Sequence, residues 1–211
     1  MKDFVRGGAE ISERLGKQLD FVLAADKLKE ITRQTYLASG ARLEDDAEHS
    51  WHLALMAVLL SEYAPEGTDV LKTVTMVLIH DLVEIEAGDT FAYDYERQKT
   101  AHEREAAAAK HLFSLLPDDQ RDYLPSLWNE FEAYETSEAR FAHALDNCQP
   151  LMLNDASGGK GWSEHHVRRS DVLRRNARTA SGAPKLWEYM SGVIEDNVRR
   201  GTIADDAPRG D

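Results

Sequence analysis

The chain has 211 residues, 42% of them hydrophobic and 30% charged, with a formal net charge of −13. That balance gives a soluble globular protein with enough residues for one real core, and it excludes an intrinsically disordered chain. So acidic a chain is no general nucleic-acid binder, because phosphate backbones are held by lysine and arginine. Its apolar runs stop short of the ~18–20 residues that cross a bilayer.

Residues 1–8 carry no apolar stretch of the signal-peptide kind, which points to the cytoplasm. Residues 26–38 read as a helix, with Leu28, Ile31 and Thr35 at helical spacing. Asp45 or Asp46 is suited to cap the next helix, which runs to about Tyr63, ahead of Pro65. His49, Leu53, Met56 and Leu60 form one stripe on it, so His49 faces the core. Thr68 caps a helix reaching Ala87, where Gly88 ends it. Residues 102–115 are alanine-rich and helical by propensity. Helices follow over 117–131 and over 137–153, the latter bent at Pro150. Residues 157–161 form a glycine-rich loop, helices resume at about 164–177 and 184–200, and the last ten residues read as frayed. No segment reads as a strand and none repeats. The fold expected is all-α: one domain over residues 1–200 with a core at about 28–153, C-terminal helices at about 164–200, and a flexible tail over 201–211.

His80 and Asp81 stand together at the end of an apolar helical run. Burying that pair without a partner is costly, and a divalent cation is a suitable partner. Glu84 lies four residues after His80 and three after Asp81, so all three can share one face. Asp89 follows Gly88 on a turn able to fold back over that face. Asp146 sits in a helix with apolar residues on both sides and needs its own partner, an arginine, a cap or a cation. His49 is either a core histidine bonded to backbone or a ligand. Cys148, the only cysteine, excludes an internal disulfide and a cysteine-cluster zinc site, and it reads as a small core residue. Together His49, His80, Asp81 and Asp146 would make a two-histidine, two-aspartate site with open positions, which is the catalytic rather than the structural kind.

The set formed by residues 47–51, His80-Asp81-Leu82-Val83-Glu84, Gly88-Asp89 and Leu145-Asp146 resembles the HD-domain metal-dependent phosphohydrolases, in the branch that contains the 5′-deoxynucleotidases. The likeness runs from about Leu28 to Leu153. It implies an all-α fold around one divalent metal ion held by His49, His80, Asp81 and Asp146. It implies Glu84 and Asp89 as catalytic acids and Arg33 as a contact to the substrate phosphate. It also implies removal of phosphate from nucleoside 5′-monophosphates, often by a homodimer. Gln34 departs from the family, which carries a tryptophan near the sugar after that arginine, with Tyr36 as a nearby aromatic. The metal is open among Co, Mn, Mg, Zn and Fe. Other substrates of the same chemistry are a cyclic nucleotide, a nucleoside triphosphate or a ppGpp-like compound, and a module that senses a nucleotide through its metal without cleaving it is the reading of a different class. Arg168, Arg169, Arg174, Arg175 and Arg178 make a basic segment that reads as a solvated face or as a steering patch for an anion. His165-His166 beside it is a minor candidate for a second metal site, and Trp128, Trp162 and Trp187 read as packing residues.

Overall fold

The computed structural model describes residues 4–6 and 9–207. An antiparallel hairpin of β1 (Phe4–Arg6) and β2 (Ala9–Ile11) leads into α1 (Glu13–Ala25), capped by the Ser12 side chain accepting from the Leu15 N–H. The helix expected over 26–38 is only a 3₁₀ turn, Asp26–Glu30, and the chain then extends as β3 (Thr32–Tyr36). β3 pairs antiparallel with β4 (Leu43–Asp45), so the expectation of no strand is also corrected. Ile31, Thr32 and Thr35 are β-branched and favour extended backbone, and the 43–45 segment supplies the cross-strand partner that a short sequence window cannot show. This hairpin carries Arg33 and Gln34 on one strand and Glu44 on the other.

Asp45 and Glu48 form a reciprocal capping box that starts α2 (Asp46–Leu59). Asp69, rather than Thr68, caps α3 (Val70–Ile79). The expected continuous helix to Ala87 instead tightens into a 3₁₀ turn, His80–Val83, before α4 (Glu84–Ala87). Gly88 ends α4 at φ 74°, a left-handed value that suits glycine, and this turn brings Asp89 back toward the helix end. α5 (Tyr95–Phe113) and α6 (Asp118–Ala133) follow, then α7 (Ser137–Ala156) with Pro150 inside it.

α7 is the central post, in contact with α2, α3 and α6. One core cluster joins Leu53, Val77, Phe141 and Leu145 to Met190 and Ile194 of the last helix. A second joins Phe21, Met76, Phe113 and Trp128 on the other side of α3. Each such buried side chain contributes about 1.5–3 kcal/mol of transfer free energy. Trp128, Trp162 and Trp187 all join these clusters or pack against them, as expected.

The helix expected over 164–177 is only α9 (Arg169–Arg175), and a short α8 (Lys160–Glu164) begins within the loop expected over 157–161; between the two His166 adopts φ 50°. α10 (Pro184–Arg200) starts with proline in its first turn and ends at Gly201. The fraying expected from residue 201 is not seen in the next few residues. Ile203 is fully buried, Ala204 pairs with Arg168, and Asp206 accepts from the Ser170 backbone and hydroxyl. Residues 208–211 of that expected tail lie outside the described residues.

Candidate metal and phosphoester site

His49 comes from the buried stripe of α2, His80 and Asp81 from the turn after α3, and Asp146 from the middle of α7. Nitrogen and oxygen atoms of His49, His80 and Asp81 lie within 4.8 Å of one another. Asp146 Oδ1 is 3.1 Å from His49 Nε2 and 3.9 Å from His80 Nε2. Asp81 closes the group, with Oδ1 3.1 Å from His80 Nε2 and Oδ2 3.8 Å from His49 Nε2. All four residues are buried, His49 completely.

The hydrogen bonds set the tautomers. His80 Nδ1 donates to the Val77 carbonyl at 2.9 Å, which leaves the Nε2 lone pair directed into the group. That Nε2 is buried and has no hydrogen-bond partner. Gln149 Nε2 donates to Glu44 at 2.6 Å, so its Oε1 faces His49 Nδ1 at 3.0 Å and takes that proton. The His49 Nε2 lone pair then faces a carboxylate oxygen of Asp146, two acceptors in contact. A divalent cation resolves both defects at once, and two imidazoles with two carboxylates suit Mn, Fe, Co or Zn. The residues therefore fit the metal. Burial raises Asp146, and the Arg175 guanidinium at 3.2 Å opposes that rise. Burial, with the Arg33 charge, keeps His49 neutral.

A second group of acids adjoins the first. Oxygens of Asp46, Glu84 and Asp89 lie within 4.8 Å of one another. Arg33 Nη1 joins the two groups, donating to Asp46 at 3.0 Å and to Asp81 at 2.9 Å. Burial, then the neighbouring Asp81 charge, pushes Glu84 up to about 12 and Asp46 to about 7. Burial raises Asp89 as well, and pushes Glu44 up to about 7. All seven residues singled out from sequence converge here. Asp46, Glu44 and Arg175 were not singled out as site residues. Asp46 was seen only as a cap, Glu44 meets Gln149 across 105 residues, and Arg175 was one arginine of five.

The cleft over the site encloses about 350 Å³ and is lined by Arg33, Asp81, Glu84, Asp89, Asp146 and Arg175, among others. Gln34 lines it too, whereas Tyr36 bonds Glu164 at 2.9 Å with Lys160 over its ring. The rest of the basic segment is mostly paired: Arg169 with Glu195, Arg174 with Asp171, Arg178 over Tyr134. Among the described residues His165 and His166 join no group able to hold a metal. No helix among them is long and apolar enough to cross a membrane.

The HD domain family model matches residues 25–187. The 5′-deoxynucleotidase HDDC2 of Xenopus laevis is 30% identical over 190 residues, covering 90% of each chain. The crystal structure of a predicted metal-dependent phosphohydrolase from Magnetospirillum magnetotacticum MS-1 superposes with a TM-score of 0.86 at 48% identity, covering 90% of this chain and 96% of that one. A conserved hypothetical protein from Pyrococcus furiosus superposes at 0.57 with 25% identity, over 86% and 99%. With its two histidines and two aspartates drawn from three separate segments of this matched stretch, the chain belongs to the HD-domain family of metal-dependent phosphohydrolases.

Proposed function

We propose that this phosphohydrolase removes the phosphate from nucleoside 5′-monophosphates. The observation that carries the reading is the pair of free imidazole lone pairs facing Asp81 and Asp146 in a cleft bordered by Glu84 and Asp89. The name of the Xenopus laevis relative supports the substrate class. In this reading His49, His80, Asp81 and Asp146 hold one divalent ion, and domain residues 1–200 form its frame. Bound there, the ion supplies Lewis acidity to a water and to a phosphoryl oxygen. Arg33 offsets charge on the equatorial phosphoryl oxygens, its guanidinium held in place by Asp46 and Asp81. Glu84 and Asp89 handle the protons at the leaving ester oxygen: burial raises both, and it pushes Glu84 up to about 12, so that Glu84 holds a proton at neutral pH. Arg175 and Gln149 act one layer out, fixing Asp146 and the His49 tautomer.

The test is a phosphate-release screen over nucleoside monophosphates, a cyclic nucleotide, a triphosphate and a ppGpp-like compound with Co, Mn, Mg, Zn and Fe, using Asp81→Ala as blank. Release from monophosphates alone is the expected result. Release from another class replaces the substrate, and no release from any moves the reading to a nucleotide-sensing module.

The same reading includes a cytoplasmic homodimer. Trp51, Leu55, Val58 and Leu59 form an exposed apolar stripe on α2, the kind of surface a partner copy covers. Leu55→Asp with Val58→Asp should convert a dimer to a monomer in light scattering; an unchanged mass would remove this stripe from the interface.

A further inference from the structure

A second cavity, of about 280 Å³, opens beside the cleft. Arg174, Arg175 and Arg178 line it with Tyr134, His143 and Asn147, and among the described residues no carboxylate does. In a chain of net charge −13 that is a local reversal of sign. The local backbone brings the three arginines together. α9 ends at Arg175, and the chain then tightens, with the Asn176 N–H donating to the Val172 carbonyl and the Ala177 N–H to the Arg174 carbonyl. Arg178 thereby faces the same hollow as the last turn of the helix.

Each guanidinium is held in place, and none is used up. Arg175 Nη2 donates to Asp146 at 3.2 Å. Arg174 Nη2 donates to Asp171 at 2.7 Å, and its guanidinium lies 4.2 Å over the Tyr95 ring. Arg178 lies 3.7 Å over the Tyr134 ring and pairs with no carboxylate among the described residues. A guanidinium carries five N–H groups, so each arginine keeps donors to spare, and all three are exposed. The floor beneath Arg178 is fixed as well. Tyr134 stacks on His143 at 4.3 Å, His143 stacks on Phe131 at 3.9 Å, and His143 Nε2 donates to the Phe131 carbonyl at 2.9 Å. Positioned guanidiniums that share one concavity suit a tetrahedral oxyanion, which they bind by paired, charge-assisted hydrogen bonds. A merely solvated basic face has no such shared hollow.

We propose that this pocket is a second anion site, separate from the metal centre, that binds a tetrahedral oxyanion: free phosphate or the phosphoryl end of an organic phosphate. Arg175 couples the two sites. It lines both cavities, as His143 and Asn147 do, and it bonds Asp146. Its positive charge opposes a cation held by Asp146, and an anion in the pocket offsets that charge. Occupancy therefore tightens the metal, and the metal tightens the anion by the same factor. Metal loading thus follows the surrounding phosphate level. The site does not depend on which phosphoester the cleft cleaves.

The experiment is calorimetry on the full chain loaded with Mn, with sulfate, phosphate and phenylphosphonate as probes. None of the three carries an ester bond to hydrolyse. Arg178→Gln and Arg174→Gln should each weaken sulfate about tenfold, the effect of one lost charge-assisted hydrogen bond. Arg33→Gln, at the metal end, should leave that binding unchanged. A fall with Arg33→Gln as large as the fall with Arg178→Gln overturns the site, as does no sulfate binding to the unaltered chain. Melting curves report folding, and because both arginines are exposed, either variant keeps the test readable if the other unfolds. Phenylphosphonate bound more tightly than phosphate assigns the organic source; equal or weaker binding assigns free phosphate. Mn affinity, read by competition with a chelator, should rise about fivefold at saturating sulfate in the unaltered chain and not in Arg178→Gln. An unchanged or weakened Mn affinity overturns the coupling.

Discussion

Two groups of acids lie side by side in this protein, and they manage buried charge differently. In the histidine-bearing group each imidazole is anchored through Nδ1, His80 on the Val77 carbonyl and His49 on Gln149, so its lone pairs are aimed before any cation arrives. In the neighbouring group Asp46 accepts from Arg33 with Glu84 and Asp89 beside it, and burial drives the three toward the protonated form instead. The contrast teaches that nitrogen ligands and a fixed second layer make a cation site, whereas carboxyls buried against one another make a proton store.

Asp81→Ala should break the comparison most completely, because Asp81 touches both groups. It contacts both imidazoles and also Arg33. The expected outcome is loss of bound metal by elemental analysis and loss of measurable phosphate release. Glu84→Gln should separate the groups: metal content stays, while kcat drops about 10²–10⁴-fold. Metal lost from that variant would make Glu84 a ligand and erase the distinction. Gln149→Leu removes the acceptor that sets the His49 tautomer, and metal affinity should fall about 10–100-fold in a competition titration.

The smallest effect is on the stability of the chelated protein. Glu84 rises from 4.5 to about 12 and Asp46 from 3.8 to about 7 on folding. Raised acids favour the folded state fully below their unfolded values, and this contribution is lost as pH rises toward the folded ones. The metal-free melting temperature should therefore fall between about pH 4 and pH 7, and the slope should be shallower in Glu84→Gln. A slope that steepens in that variant would contradict the proton-store reading.

The histidine-bearing group was legible because its signals are local. His49 lies on an apolar stripe, His80 adjoins Asp81, and Asp146 sits in a helix with apolar neighbours on both sides, so each can be judged within a few residues. What supports them was not legible. Arg33 reaches Asp46 only because residues 32–36 extend and pair with 43–45, and the helix expected there would have aimed the arginine elsewhere. Glu44 meets Gln149 across 105 residues, and Arg175 meets Asp146 across 29. The 3₁₀ turn at His80–Val83 was hidden by a run that is helical in pattern throughout, since both helix types bury the same face over one turn.

The pairing of Ala204 with Arg168 has a practical side for protein engineering. Those residues brace the segment from which Arg175 reaches Asp146 and Asn176 enters the cleft. A purification tag fused directly after Ile203, or a cut before it, would therefore disturb the catalytic cleft from the outside. The joint for any fusion belongs beyond Asp206, the last residue seen to bond back to α9.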